Sequence, residues 1–78
     1  MAKIKRLART KVGNYTIDTS EVDGMCETAI KLDNGDYVIV QKYISPAHAK
    51  VGHKYWVGFC ADEPISAYDV SERRAKLF

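Results

Sequence analysis

Apolar and polar residues alternate most clearly in two stretches flanking an Asn-Gly pair, "MCETAIKL" and "YVIVQKYI". Asn34-Gly35 between apolar stretches is the signature of a two-residue type I′ hairpin turn, which needs positive φ at both central residues. Such a turn fixes the register of the flanking strands, residues 25–32 and 37–44. It opposes Leu32 to Tyr37, Ile30 to Ile39, Thr28 to Gln41 and Cys26 to Tyr43. This set carries the larger side chains and is the expected core face. The other face pairs Lys31 with Val38, Ala29 with Val40, Glu27 with Lys42 and Met25 with Ile44. Its opposite-charge pair marks it as half-exposed. Upstream, residues 15–22 alternate Tyr15, Ile17 and Thr19 against Thr16, Asp18 and Ser20, and reach the hairpin through Asp23-Gly24. That pattern predicts a third antiparallel strand.

A three-stranded sheet with one apolar face needs a cover, and "SPAHAKVGHKYWVGFC" supplies it. Ser45 is a suitable N-cap, and Pro46 falls at the first helical position, where its missing N–H costs nothing. At helical periodicity Ala49, Gly52, His53, Trp56 and Cys60 share one narrow stripe, flanked by His48, Tyr55, Phe59 and Val57. Lys50 and Lys54 mark the solvent side. Small residues at Ala49 and Gly52 allow a close approach to the sheet, with Trp56 filling the gap beyond. The aromatic and β-branched content of "HKYWVGFC" also suits a strand, but the Ser-Pro start and the stripe predict a helix from Pro46 to about Gly58. Beyond it, "ISAYDV" reads as a short edge strand or a loop. "SERRAKLF", opening on the capping residue Ser71, reads as a short C-terminal helix.

The expected fold is therefore α+β: a small antiparallel three-stranded sheet covered by one main helix. With 78 residues there is room for one domain, residues 13–78, preceded by a basic N-terminal arm, residues 1–12. The arm concentrates charge, because Lys3, Lys5, Arg6, Arg9 and Lys11 all precede the first acidic residue, Asp18. The net charge is only +2, which argues against a dedicated nucleic-acid binder. No apolar run is long enough to span a bilayer, and no apolar segment follows the basic N-terminus as in a signal peptide. A cytoplasmic protein, acting inside a host cell, is expected. In that compartment Cys26 and Cys60 read as buried thiols rather than a disulfide.

"CETAI", "YVIVQKYISPAHA" and "AKVGHKYWV" occur in this order, and together they resemble a loose group of short uncharacterised proteins of bacteriophages and prophages. The shared pattern is a Glu-Thr strand, a hairpin, a helix start with Tyr and then Ser or Thr, and Ala-x-x-Gly-His. Here it is carried by Glu27, Thr28, Tyr43, Ser45, Ala49, Gly52 and His53, within residues 15–56. Ala29 departs from it, standing where a larger residue is expected. The resemblance implies phage origin and a compact α+β fold, and no mechanism.

Chemistry is sparsely provided for. Cys26, His48, His53 and Cys60 make a Cys₂His₂ set by count, but lack the close ligand pairs of structural zinc sites. A Cys60–His53 dyad would be separated by about 10 Å of helical rise, too far for a hydrogen bond. No oxyanion hole or phosphate cradle is evident. No catalytic residue, metal or cofactor is expected, and His53 reads as a packed neutral imidazole bonded to a sheet hydroxyl such as Thr28 or to a backbone carbonyl.

Two functional readings remain. The favoured one is a non-enzymatic protein–protein interaction module, an inhibitor of a host protein, with His48, Tyr55, Phe59, Val38, Val40 and Lys42 as its contact residues. The alternative is a small nucleic-acid-binding protein using Lys3, Lys5, Arg6, Arg9 and Lys11 together with sheet tyrosines. The free edge of the last sheet strand also makes a homodimer an expected form.

Overall fold

The computed structural model describes residues 3–78. Strands β1 (Ile4–Val12), β2 (Tyr15–Val22), β3 (Met25–Lys31) and β4 (Tyr37–Tyr43) form one antiparallel sheet in the order β1-β2-β3-β4. Helix α1 (Pro46–Ala61) packs across one face of it, and β5 (Ser66–Asp69) pairs with β6 (Arg74–Leu77) in a small separate hairpin. The α+β class and the expected helix are present. "HKYWVGFC" is helical, and α1 runs about one turn past Gly58. Ser45, extended at φ −147°, caps the helix by accepting the His48 N–H at 3.3 Å.

Three elements differ from the sequence reading. Residues 4–12 form a fourth strand, the β1 edge, in place of an arm. The predicted C-terminal helix is β6 instead: Asp69 accepts the Ser71 and Glu72 N–H groups at 2.8 and 2.7 Å, and Arg73 then turns the chain at φ +57°. Ser71 thus belongs to a turn that closes a hairpin.

The third difference is register. Leu32 pairs with Asp36, its N–H donating to the Asp36 carbonyl at 2.8 Å, around a three-residue loop. Only Gly35 takes positive φ there, so the turn is not type I′. Ala29, Ile30 and Lys31 consequently face Ile39, Val38 and Tyr37, one residue from expectation. An irregularity at Val40 restores the expected pairs Thr28–Gln41, Glu27–Lys42 and Cys26–Tyr43. The slip turns Val38 and Val40 into the core, where they are 0% and 5% exposed, and puts Tyr37 on the opposite face.

A similar irregularity in β1 lies between Arg6 and Ala8. It lets both Leu7, which packs on the Cys26, Tyr43 and Ala49 cluster, and Ala8, paired with buried Thr19, face the helix. A bulge of this kind inserts one residue and re-phases the rest of the strand.

The core has two parts. The larger joins Ile17, Ile30, Val38, Val40, Cys60 and Ala67, with Trp56, Phe59 and Phe78 packed against it. The smaller is Cys26, Tyr43 and Ala49. The β5–β6 hairpin completes the larger part and covers half of β4's outer edge. The Val70 N–H donates to the Ile39 carbonyl (2.8 Å), the Ile39 N–H donates to Asp69 Oδ2 (3.1 Å), and Lys76 Nζ donates to the Tyr37 carbonyl (3.1 Å).

Candidate functional site

A file of polar side chains runs between α1 and the sheet and touches all four strands of it. Thr10 Oγ1 lies 2.9 Å from His53 Nε2, and Thr19 Oγ1 lies 2.7 Å from His53 Nδ1. Thr19 and Thr28 hydroxyls are 2.6 Å apart, and Thr28 is 3.1 Å from the Tyr43 hydroxyl. The Tyr43 hydroxyl donates to Gln41 Oε1 at 3.2 Å, and Trp56 Nε1 donates to the same oxygen at 2.9 Å.

Each hydroxyl has one proton, so the direction at Gln41 propagates back along the file. Tyr43 accepts from Thr28, Thr28 from Thr19, and Thr19 from His53 Nδ1–H; Nε2 then accepts from Thr10. This assigns a neutral Nδ1–H imidazole. Burial pushes the His53 pKa below its ordinary value, and the nearby Asp18 charge only partly opposes that. The sequence reading put His53 in the packing stripe but paired it with Thr28, which is one hydroxyl further along. The file is structural: it satisfies buried polar groups at the helix–sheet seam.

The thiols are remote from each other's chemistry. Cys26 belongs to the smaller core cluster and Cys60 to the larger. Burial pushes Cys60 up to about 11, and burial with the Glu21 charge raises Cys26. Such thiols are poor nucleophiles. Among the described residues, no group of three or more His, Cys, Asp or Glu side chains is placed to hold a metal ion. No described helix is long and apolar enough to cross a membrane.

Two of the open surfaces hold the residues expected to bind. The first is a groove of about 650 Å³ between the second half of β4 and the flank of α1 from His48 to Tyr55, lined by Gln41–Ile44, His48, Val51, Gly52 and Tyr55. Ile44, Val51 and Tyr55 are 84%, 71% and 64% exposed. The strand order leaves β4 at the sheet edge, and the hairpin's edge contacts stop at Ile39. Gln41–Tyr43 therefore has no neighbouring strand on its outer side among the described residues.

The second surface is the sheet face away from α1. Cross-strand pairing puts Arg6 beside Ser20, Arg9 beside Asp18 and Lys11 beside Thr16 on this face. Lys31 and Lys42 share it, Lys42 opposite Glu27. Asp18, almost buried, is bracketed by Arg6 Nε and Lys31 Nζ, each at 3.3 Å.

The six residues expected to contact a partner are thus divided. His48 and Tyr55 line the groove, where Lys42 contributes through the β4 edge while its pairing places its side chain on the opposite face. Val38 and Val40 are core residues on the helix side, which removes them from the open sheet face. Phe59 is half-buried, packed edge-on to Trp56 at 5.1 Å beneath the hairpin. Ile44, expected on the half-exposed sheet face, is exposed but lines the groove beside α1. Val51 was missed as a groove residue because it lies outside the apolar stripe. Of the basic residues, Arg6, Arg9 and Lys11 share the open face, while Lys5 pairs with Glu21 on the helix side. Lys3 closes the β1 end through its N–H to Asp23 Oδ1. Tyr15 and Tyr43 face the core, which leaves Tyr37 as the tyrosine exposed on the open face.

No protein-family model, curated protein or solved structure matches this chain.

Proposed function

We propose that this chain is a small phage or prophage accessory protein that acts without catalysis, by binding another protein and blocking a surface of it. One observation carries this reading: an exposed apolar groove lies beside a strand edge that has no neighbouring strand among the described residues. Ile44, Val51 and Tyr55 offer side-chain contacts, and Gln41–Tyr43 offers the backbone of that edge. An extended segment can add to such an edge, gaining affinity from main-chain hydrogen bonds and specificity from side chains in the groove. The rest of the sheet rim is protected. β1 carries a bulge and several cations, and the β5–β6 hairpin covers the start of β4.

The partner is a host or phage protein presenting an extended, partly apolar segment. The test is a photo-crosslinking amino acid placed at Tyr55 in the groove and, separately, at Tyr68 on the hairpin, in cells expressing the protein. One discrete product from position 55 and none from 68 supports the reading. A product containing only this chain would make the groove a homodimer contact. Equal products from both positions, or none from position 55, would refute it.

A further inference from the structure

We infer that the open sheet face binds single-stranded nucleic acid. This inference does not rest on the groove, which lies on the helix side of β4. The carrying observation is the placement of charge. Arg6, Arg9, Lys11, Lys31 and Lys42 share the face, and its carboxylates are Asp18 and Glu27. The whole chain carries only +2, so this face, with five cations against two carboxylates, holds all of its positive surplus and the rest of the molecule is net acidic. The β1 irregularity makes this possible: without the added residue, Arg6 and Arg9, three positions apart, would point to opposite faces.

Asp18 does not cancel the patch. It holds Arg6 and Lys31 together and leaves a net positive cluster, with Arg9 and Lys11 extending it along β1. Those two lie about 7 Å apart along the strand, a spacing that suits successive phosphates of an extended single strand. At the other edge Tyr37 is half-exposed; Lys76 Nζ, 5.6 Å from its ring centroid, is itself paired with Asp69 and Glu72, so the ring rather than this cation is what that edge offers. A basic track beside an aromatic ring is the arrangement by which flat sheets hold single strands: cations follow the backbone and bases stack. Duplex is disfavoured because this face presents no helix or ribbon to enter a groove.

The test is fluorescence anisotropy with labelled oligo-dT and oligo-U, across about 50 to 200 mM salt. Binding should weaken linearly on a log–log plot, and Arg9→Ala/Lys11→Ala should shallow the slope by about 0.7 per lost phosphate contact. Tyr37→Ala should weaken binding at least about fivefold while leaving the slope unchanged. Lys50→Ala/Lys54→Ala removes the same charge from exposed positions on α1 and should change neither quantity. The DNA and RNA arms distinguish the two sources of the strand, and affinity in either arm supports the inference. Three results would overturn it: no binding at the lowest salt, equal losses in the β1 and α1 double variants, or binding to anionic vesicles but to neither oligonucleotide.

Discussion

Tyr43 on β4 occupies the space that a side chain at Gly52 on α1 would need: a Cβ there would overlap the Tyr43 ring and hydroxyl. The helix approaches the sheet closely at this point because residue 52 has no side chain, and the Tyr43 hydroxyl can then join the polar file between them. Gly52→Ala should gain up to about 1 kcal/mol of helix propensity, yet overpacking costs about 1–3 kcal/mol. Net destabilisation is expected in urea unfolding. In a double-mutant cycle with Tyr43→Ala, the two losses should be less than additive. Additive losses would show that the contact is not the reason for glycine.

His53 supplies a pH dependence of definite sign. Its ordinary pKa is 6.5 and burial lowers it in the folded state. The unfolded chain therefore takes up a proton below about pH 6.5 that the folded chain does not. Stability should be complete above that value and should fall as the pH drops from it towards the folded-state pKa. Urea midpoints between about pH 7.5 and 5.5 test this, and His53→Gln should flatten the profile. Imidazole nitrogen chemical shifts at neutral pH should show the Nδ1–H tautomer.

Asp69 is the link between the hairpin and the sheet. Burial opposes its ionisation, but the Glu72, Ile39 and Ser71 N–H groups and Lys76 outweigh burial and hold its pKa below 3.8. Its contribution is thus complete above that pH and is lost as pH falls through the folded-state value. Asp69→Ala strands the Ile39 N–H beneath the hairpin and should cost about 3 kcal/mol. Limited proteolysis should then cut within residues 62–78 before the sheet is attacked. Unchanged protection of that segment would remove Asp69 from this role.

Both thiols should be inert in the folded protein. With Cys60 near 11 and Cys26 raised, little thiolate forms at pH 8. A disulfide-exchange reagent should modify them only as fast as the chain opens, and urea should release both at once. Rapid modification of the folded protein would contradict their burial.

The sequence revealed helix α1 almost completely, because its signals are local. A Ser-Pro start and a 3.6-residue stripe do not depend on what packs against them. Strand β2 was legible for the same reason, as an unbroken alternation. β1 was hidden because the bulge at Leu7 breaks the alternation, and dense cations resemble a solvated terminus. The β3–β4 register failed at one residue: Gly35 alone takes positive φ, and the extra loop residue exchanged the faces of Val38 and Tyr37. That single slip also explains why Val38 and Val40 were placed at a binding surface. β6 was misread because the Asp69-bound turn imitates a helix start before Arg73 reverses the chain. Trp56 was read as a filled gap; it is half-buried, with its indole N–H on Gln41. The groove itself arises where β4 and α1 diverge, a long-range feature that no local pattern encodes.

Amide hydrogen exchange along β4, with and without the captured partner, tests the docking groove most directly. In the free protein the Ile39 amide should be protected by Asp69, while the outward-facing amides within Gln41–Ile44 exchange quickly. Binding should protect those same amides, because a strand added to the edge must accept hydrogen bonds from them. A partner that binds tightly, leaves Gln41–Ile44 exchanging as before and protects another surface would contradict the account.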